Sequence, residues 1–195
     1  MAGFEKCYDV LSPIKLAHVV LRTNKFEEMA EFYKKFLGAG VEFENEDACF
    51  LRYDDEHHRL GILKMNGLLD SGRTAPGLEH IAFTFSSLAD LLKVWQQRKD
   101  LGVEPVWCVN HGGTTSMYYE DPDGNKLESQ VDNFDDPVEL QAFIKSDKFR
   151  TNPVGTDFDP LDLIKRLQSG EPEDSIKMRV ESGPRRFPRY VGERV

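Results

Sequence analysis

An internal repeat sets the architecture of this chain. The segments Lys15-Leu-Ala-His18-Val-Val-Leu21 and Gly77-Leu-Glu-His80-Ile-Ala-Phe83 each hold one histidine among apolar residues. Each leads into a helix-like run and then a Leu-Gly…Val-Glu turn. His18 stands 23 residues before Val41, and His80 stands 23 residues before Val103. A constant offset over that length marks a duplicated supersecondary unit.

Within each unit the order reads β-α-β-β-β. In the strand at 15–22, alternation puts Ala17, Val19 and Leu21 on one face and Leu16, His18 and Val20 on the other. Asn24 with Glu27 three places on predicts a helix start, and Phe26, Met29, Ala30, Tyr33, Phe36 and Leu37 form its apolar stripe. Gly38 and Gly40 end it. Val41–Glu44, Ala48–Tyr53 and Arg59–Leu63 follow as strands, the last two separated by the polar turn Asp54-Asp-Glu-His-His58. The second unit repeats this with a strand at 78–85 and a helix opened by Ser87-x-x-Asp90 and striped by Leu88, Leu91, Leu92 and Trp95. Strands at Val103–Val109, Thr114–Tyr119 and Asn125–Val131 complete it, with Asp121-Pro-Asp-Gly124 as a turn between the last two.

These readings divide the chain into a first module at 14–65, a linker at 66–76 carrying Gly67, Gly72 and Pro76, a second module at 77–132 and a tail at 133–195. The tail is too poor in apolar residues to fold alone and reads as a strap around the core or a partner subunit. It has helical stripes at about Val138–Ile144 and after Asp159-Pro160, and a basic, aromatic end at Pro184–Val191. The fold class is α+β: two pseudo-symmetric modules curved around a shared site, with an extended tail. A formal net charge of −9 offers no basic field for nucleic acid or an anionic membrane. The sequence has neither a membrane-length apolar run nor an apolar signal core. Cys7, Cys49 and Cys108 are odd in number and widely spaced, which points to a reducing, cytoplasmic setting.

If each helix covers the apolar face of its strand, His18 and His80 point to the opposite, concave face and are expected to converge there. Glu128, on the last strand of the second module, is the carboxylate that would join them. Two histidines and a carboxylate with open positions form the facial set of non-haem Fe(II) oxygenases, and Mn(II) or Zn(II) would also accept it.

The paired modules, the two histidine strands and Tyr118-x-x-Asp-Pro-Asp-Gly124-x-x-x-Glu128 resemble the vicinal oxygen chelate superfamily over about 14–133. That group includes glyoxalase I, bleomycin-resistance proteins, some epimerases and type I extradiol ring-cleaving dioxygenases. Glyoxalase-like sites carry a second Glu on the last strand of the first module. Here that strand, Arg59–Met65, has no carboxylate. Extradiol enzymes carry a His-His pair just before it, and His57-His58 stands at that place. The resemblance implies His18, His80 and Glu128 as ligands of Fe(II), His58 as acid–base group, and Tyr118 and His111 as hydrogen-bonding groups near the substrate. The implied reaction is cleavage of a catecholic or polyphenolic aromatic with O2. An isomerase, epimerase or lyase, or a metal-free ligand-binding module, stays open, as does a homodimer.

Overall fold

The computed structural model describes residues 7–69 and 76–187. Gly72 of the expected linker and residues 188–191 of the basic end lie outside them. The first module is β1 (Val19–Thr23), α1 (Phe26–Leu37), β2 (Gly40–Glu44), β3 (Ala48–Arg52) and β4 (Leu60–Lys64). Its sheet has the order β1-β4-β3-β2, with β1 parallel to β4. A parallel pair needs a long crossover, and α1 with β2 and β3 supplies it. The second module is β5 (His80–Thr84), α2 (Leu88–Asp100), β6 (Trp107–Asn110), β7 (Thr114–Glu120) and β8 (Lys126–Asp132), in the order β5-β8-β7-β6. Both histidine strands, β1 and β5, are sheet edges.

Tail residues contribute α3 (Pro137–Lys145), α4 (Asp147–Thr151), β9 (Thr156–Asp157), α5 (Pro160–Gln168) and α6 (Glu173–Lys177). Strand β9 pairs antiparallel with β6 and extends the second sheet to five strands. The tail thus wraps the second module. Leu163 and Ile176 of the tail enter the core, and polar bonds add to its docking: the Arg179 guanidinium donates to the Asn152 carbonyl at 2.7 Å and the His111 carbonyl at 3.1 Å. The Glu173 carboxylate accepts the Leu88 and Ala89 amides, each at 3.0 Å, so α6 satisfies the first turn of α2.

The expected helix stripes hold. Phe26, Met29, Ala30, Tyr33 and Phe36 of α1 are buried, and Gly38 ends the helix at φ 57°. The cap differs from expectation. Lys25 occupies the cap position without a side-chain bond, while the Asn24 side chain exchanges hydrogen bonds with the Leu68 backbone and pins the end of the first module. Ser87 does cap α2, accepting from the Asp90 amide.

One continuous core joins the helix-covered faces of both sheets. Val19, Leu21, Cys49, Leu51, Leu60 and Ile62 share it with Ile81, Phe83, Met117, Tyr119 and Leu127, and both helices lie within it. The Phe36 ring meets Phe83 at 5.9 Å and Tyr119 at 5.2 Å. Arg98, only 1% exposed, donates to the Phe36 carbonyl and to Ser129 Oγ at 2.8 and 2.7 Å and stacks over the Phe36 ring. Tyr33 donates to the buried Asp121 carboxylate at 2.8 Å. The two modules are therefore locked together through their helical sides.

Candidate functional site

The second module assembles a polar cluster on the face of its sheet away from the core. Strand register sets it up. Ala82 lies beside Glu128 across the parallel β5–β8 pair, and Tyr118 lies directly opposite Glu128 across β7–β8. His80, two residues before Ala82 and on the same face, reaches Glu128 diagonally, with Nε2 3.0 Å from Oε2. Glu79 holds His80 Nδ1 and is itself paired with Lys126 at 2.8 Å. Glu128 is 4% exposed, and the His80 side chain is about one-third exposed.

Tyr118 and His111 extend the cluster. The Tyr118 hydroxyl lies 3.0 Å from His111 Nε2, and the Val154 carbonyl takes the hydrogen of His111 Nδ1. With that tautomer His111 Nε2 accepts from Tyr118. Trp107, paired with Tyr118 across β6–β7, stacks on its ring at 5.1 Å. Burial, reinforced by the Glu128 carboxylate, pushes the Tyr118 phenol well above its ordinary range. Burial lowers His111, and the Val154 carbonyl partly offsets that.

The first module assembles a separate cluster. His18, His57 and His58 bring ring nitrogens within 4.8 Å of one another. His58 stacks on His18 at 4.3 Å and on Phe50 at 4.9 Å. Burial, and then repulsion from His18 and His57, lowers the His58 pKa. His57 is exposed and tied to Glu56, which also takes Lys15 at 2.6 Å. Arg59 fixes the arrangement. Its Nε pairs with Asp54 at 2.7 Å, and its Nη1 donates to the carbonyls of Leu16 and Ala17. The turn that carries His58 is thereby fastened to the approach of β1.

The two histidine strands border one cleft, lined by His18 and Val19 of the first module and Ile81, Ala82 and Phe83 of β5, and Ala82 is the neighbour of Glu128. Among the described residues, His18, His57 and His58 form the group of three ligand-type atoms within 4.8 Å of one another, while His80 pairs with Glu128. The 3.0 Å between Nε2 and Oε2 is an ordinary hydrogen-bond distance, short enough for both atoms to reach one ion. Clefts of about 260 Å³ beside His18 and about 460 Å³ in the tail are lined by neither His80 nor Glu128.

Sequence reading passed over three supporting residues. Trp107 lies on the expected strand at 103–109, but its place opposite Tyr118 comes from the β6–β7 register. Arg59 carries a charge that reads as surface. Val154 acts through its carbonyl, which no side-chain pattern announces.

Two βαβββ modules presenting histidine and carboxylate from edge and inner strands define a class of paired-module proteins. A model of the Glyoxalase/Bleomycin resistance protein/Dioxygenase superfamily matches residues 15–129, and the chain belongs to that superfamily. It is 43% identical over 163 residues to biphenyl-2,3-diol 1,2-dioxygenase 2 of Rhodococcus globerulus, covering 83% of this chain and 86% of that one. It is 42% identical over 168 residues to biphenyl-2,3-diol 1,2-dioxygenase 3 of the same organism, covering 85% and 88%. The crystal structure of a glyoxylase/bleomycin resistance protein/dioxygenase domain from Frankia sp. EAN1pec superposes with a TM-score of 0.51 at 17% identity, over 62% of this chain and 99% of that one. No helix among the described residues is long and apolar enough to cross a membrane.

Proposed function

We propose that this chain is an extradiol-type dioxygenase that opens a catecholic ring with O2. The observation that carries the reading is the extent of likeness to two biphenyl-2,3-diol dioxygenases, above 40% over more than four-fifths of the chain. Its substrate would be an aromatic diol of that kind, and its cofactor Fe(II), with Mn(II) or Zn(II) as competitors. The expected ligands are His18, His80 and Glu128. Iron would supply a place for both diol oxygens and for O2. A cytoplasmic setting goes with three unpaired cysteines.

The chain's own residues have tasks that follow from their surroundings. His58, held neutral by burial and by its neighbours, accepts a proton from the diol and later returns one. Stacking on His18 and Phe50 fixes the plane of its ring. Tyr118 keeps its proton, because burial and Glu128 oppose ionisation, and so acts as a hydrogen-bond donor. His111, anchored on Val154, orients it.

The test is anaerobic loading with Fe(II), followed by exposure to O2 with 2,3-dihydroxybiphenyl. One O2 consumed per diol, with both labelled oxygen atoms in the ring-opened product, is the expected result. His58→Phe should keep iron and lose turnover, and Glu128→Ala should lose iron. Wild-type protein that binds zinc or nickel but not iron, and turns over without O2, would move the assignment to an isomerase or lyase.

A further inference from the structure

We infer that the first module holds a zinc site of its own, made by His18, His57 and His58, and that zinc bound there draws His18 away from His80 and Glu128. The inference goes beyond the proposed function and shares one residue with it, since the iron reading also uses His18.

The three imidazoles carry the argument. One nitrogen from each lies within 4.8 Å of the others. Three nitrogens bound tetrahedrally to one zinc at about 2.1 Å lie roughly 3.4 Å apart. Ring rotations close that difference, and His18 and His57 are exposed, so no packing opposes them. The same rotation opens the His18–His58 stack, whose rings stand 23° from parallel, and lets both lone pairs point at one ion.

The surroundings are those of a ligand set. His57 Nδ1 lies 2.6 Å from the Glu56 carboxylate, and Lys15 holds the other oxygen of that carboxylate at 2.6 Å. A carboxylate on one ring nitrogen fixes the tautomer, leaves Nε2 as the ligand atom and raises its basicity. Phe50 backs the His58 ring at 4.9 Å. Arg59 bridges Asp54 and the carbonyls of Leu16 and Ala17, which keeps the turn bearing His57 and His58 beside the approach of β1.

The donors choose the metal. Three neutral imidazoles with a fourth position open to water suit zinc, and nitrogen donors bind zinc more tightly than Fe(II). His18 stands between two sets. It stacks on His58, and it lines the cleft that Ala82, the neighbour of Glu128, also lines. It can serve one set at a time, so zinc held by the three histidines leaves iron with two ligands.

The test titrates metal-free, full-length protein with Zn(II) against a competing chelator. Glu128→Ala, in which the iron set is broken, should still bind one zinc per chain as tightly as wild type. Adding His57→Gln to it should weaken zinc by more than about 100-fold, because losing a ligand costs more than losing its orienting partner, about 10–100-fold. Glu56→Gln should fall within that smaller range. Glu128→Gln keeps the shape of the side chain and repeats the test if the alanine variant does not fold. Loss of zinc in the Glu128 variants, or zinc binding that survives His57→Gln unchanged, would overturn the inference. The shared ligand is read separately. Loaded anaerobically with Fe(II) alone, wild type and His57→Gln should hold the same iron, and wild type should release it at lower zinc concentrations. Equal release would overturn the competition for His18. Wild type that takes up no iron counts against the proposed function, while the zinc titrations of the Glu128 variants still decide this inference.

Discussion

Replacing Tyr33 by Phe tests the lock that sets how the two modules pack. Tyr33 sits in the middle of α1, fully buried, and its hydroxyl donates to Asp121 Oδ2 at 2.8 Å across 88 residues of sequence. Asp121 is itself buried, and its carboxylate accepts from three further donors: the amides of Asp123 and Asn125 and the Asn125 side chain, at 2.8 to 3.0 Å. The substitution removes one donor of four and leaves the ring in place. A hydrogen bond to a charged group contributes about 1.5–3 kcal/mol, and no cavity is created to add to that. The expected loss is therefore about 2 kcal/mol, which in a chain of this size lowers Tm by roughly 4–8 °C. Urea unfolding and a thermal scan measure it. A double-mutant cycle with Asp121→Asn should return a coupling of about 1 kcal/mol or more, because each change disturbs the same bond. A Tyr33→Phe protein that melts with wild type would refute the module-spanning bond, and a coupling near zero would show that any loss arises elsewhere.

Three other outcomes follow from local geometry. Gly155 has φ 113°, and a Cβ there would lie 2.2 Å from the Asn110 carbonyl oxygen, whereas Gly38 has φ 57° and open space. Thermal melts should show Gly155→Ala losing about 3 kcal/mol or more, with the tail released to protease, and Gly38→Ala about 1 kcal/mol. His58 and His111 are held below their ordinary value of 6.5, chiefly by burial, so the unfolded chain takes up their protons first. Stability should be full above about pH 6.5 and fall as pH drops below it, and in thermal scans His111→Gln should show a smaller fall. Burial pushes the Cys108 thiol up to about 12 and raises Cys49, while Cys7 is exposed. Iodoacetamide at about pH 8 should alkylate Cys7 first by peptide mass mapping, since a thiol of pKa near 12 is about 1 part in 10,000 thiolate there.

Strand parity made much of this molecule legible. The side chains of Val19 and Leu21, and of Ile81 and Phe83, had to face helices, so His18 and His80 had to face away. The same parity puts Glu128 and Tyr118 on the histidine face, and the structure agrees through the registers of β5, β7 and β8. What parity omits is which surfaces of the two modules meet. That choice is made by Phe36, Arg98 and Tyr33, whose partners in the other module lie 62 to 88 residues away. Arg98 near the end of α2 reads as a solvated charge, yet it is buried against three aromatic rings. Asp121 reads as a turn residue, yet its carboxylate gathers four donors. The tail's strand β9 is two residues long and sits where Gly155 alone permits the backbone approach, a signal too short for any periodicity.

The strength of that lock can be weighed from its parts. Phe36 and Tyr33 each contribute roughly 1.5–3 kcal/mol of apolar burial to the shared core. The Arg98 bond to the Phe36 carbonyl and the Tyr33 bond to Asp121 cross between the modules and add about 1.5–3 kcal/mol apiece. The Arg98 bond to Ser129 lies within the second module and only holds the guanidinium in place. The crossing contacts together are comparable to the whole stability of an ordinary domain, about 5–15 kcal/mol, so they suffice to fix how the modules sit.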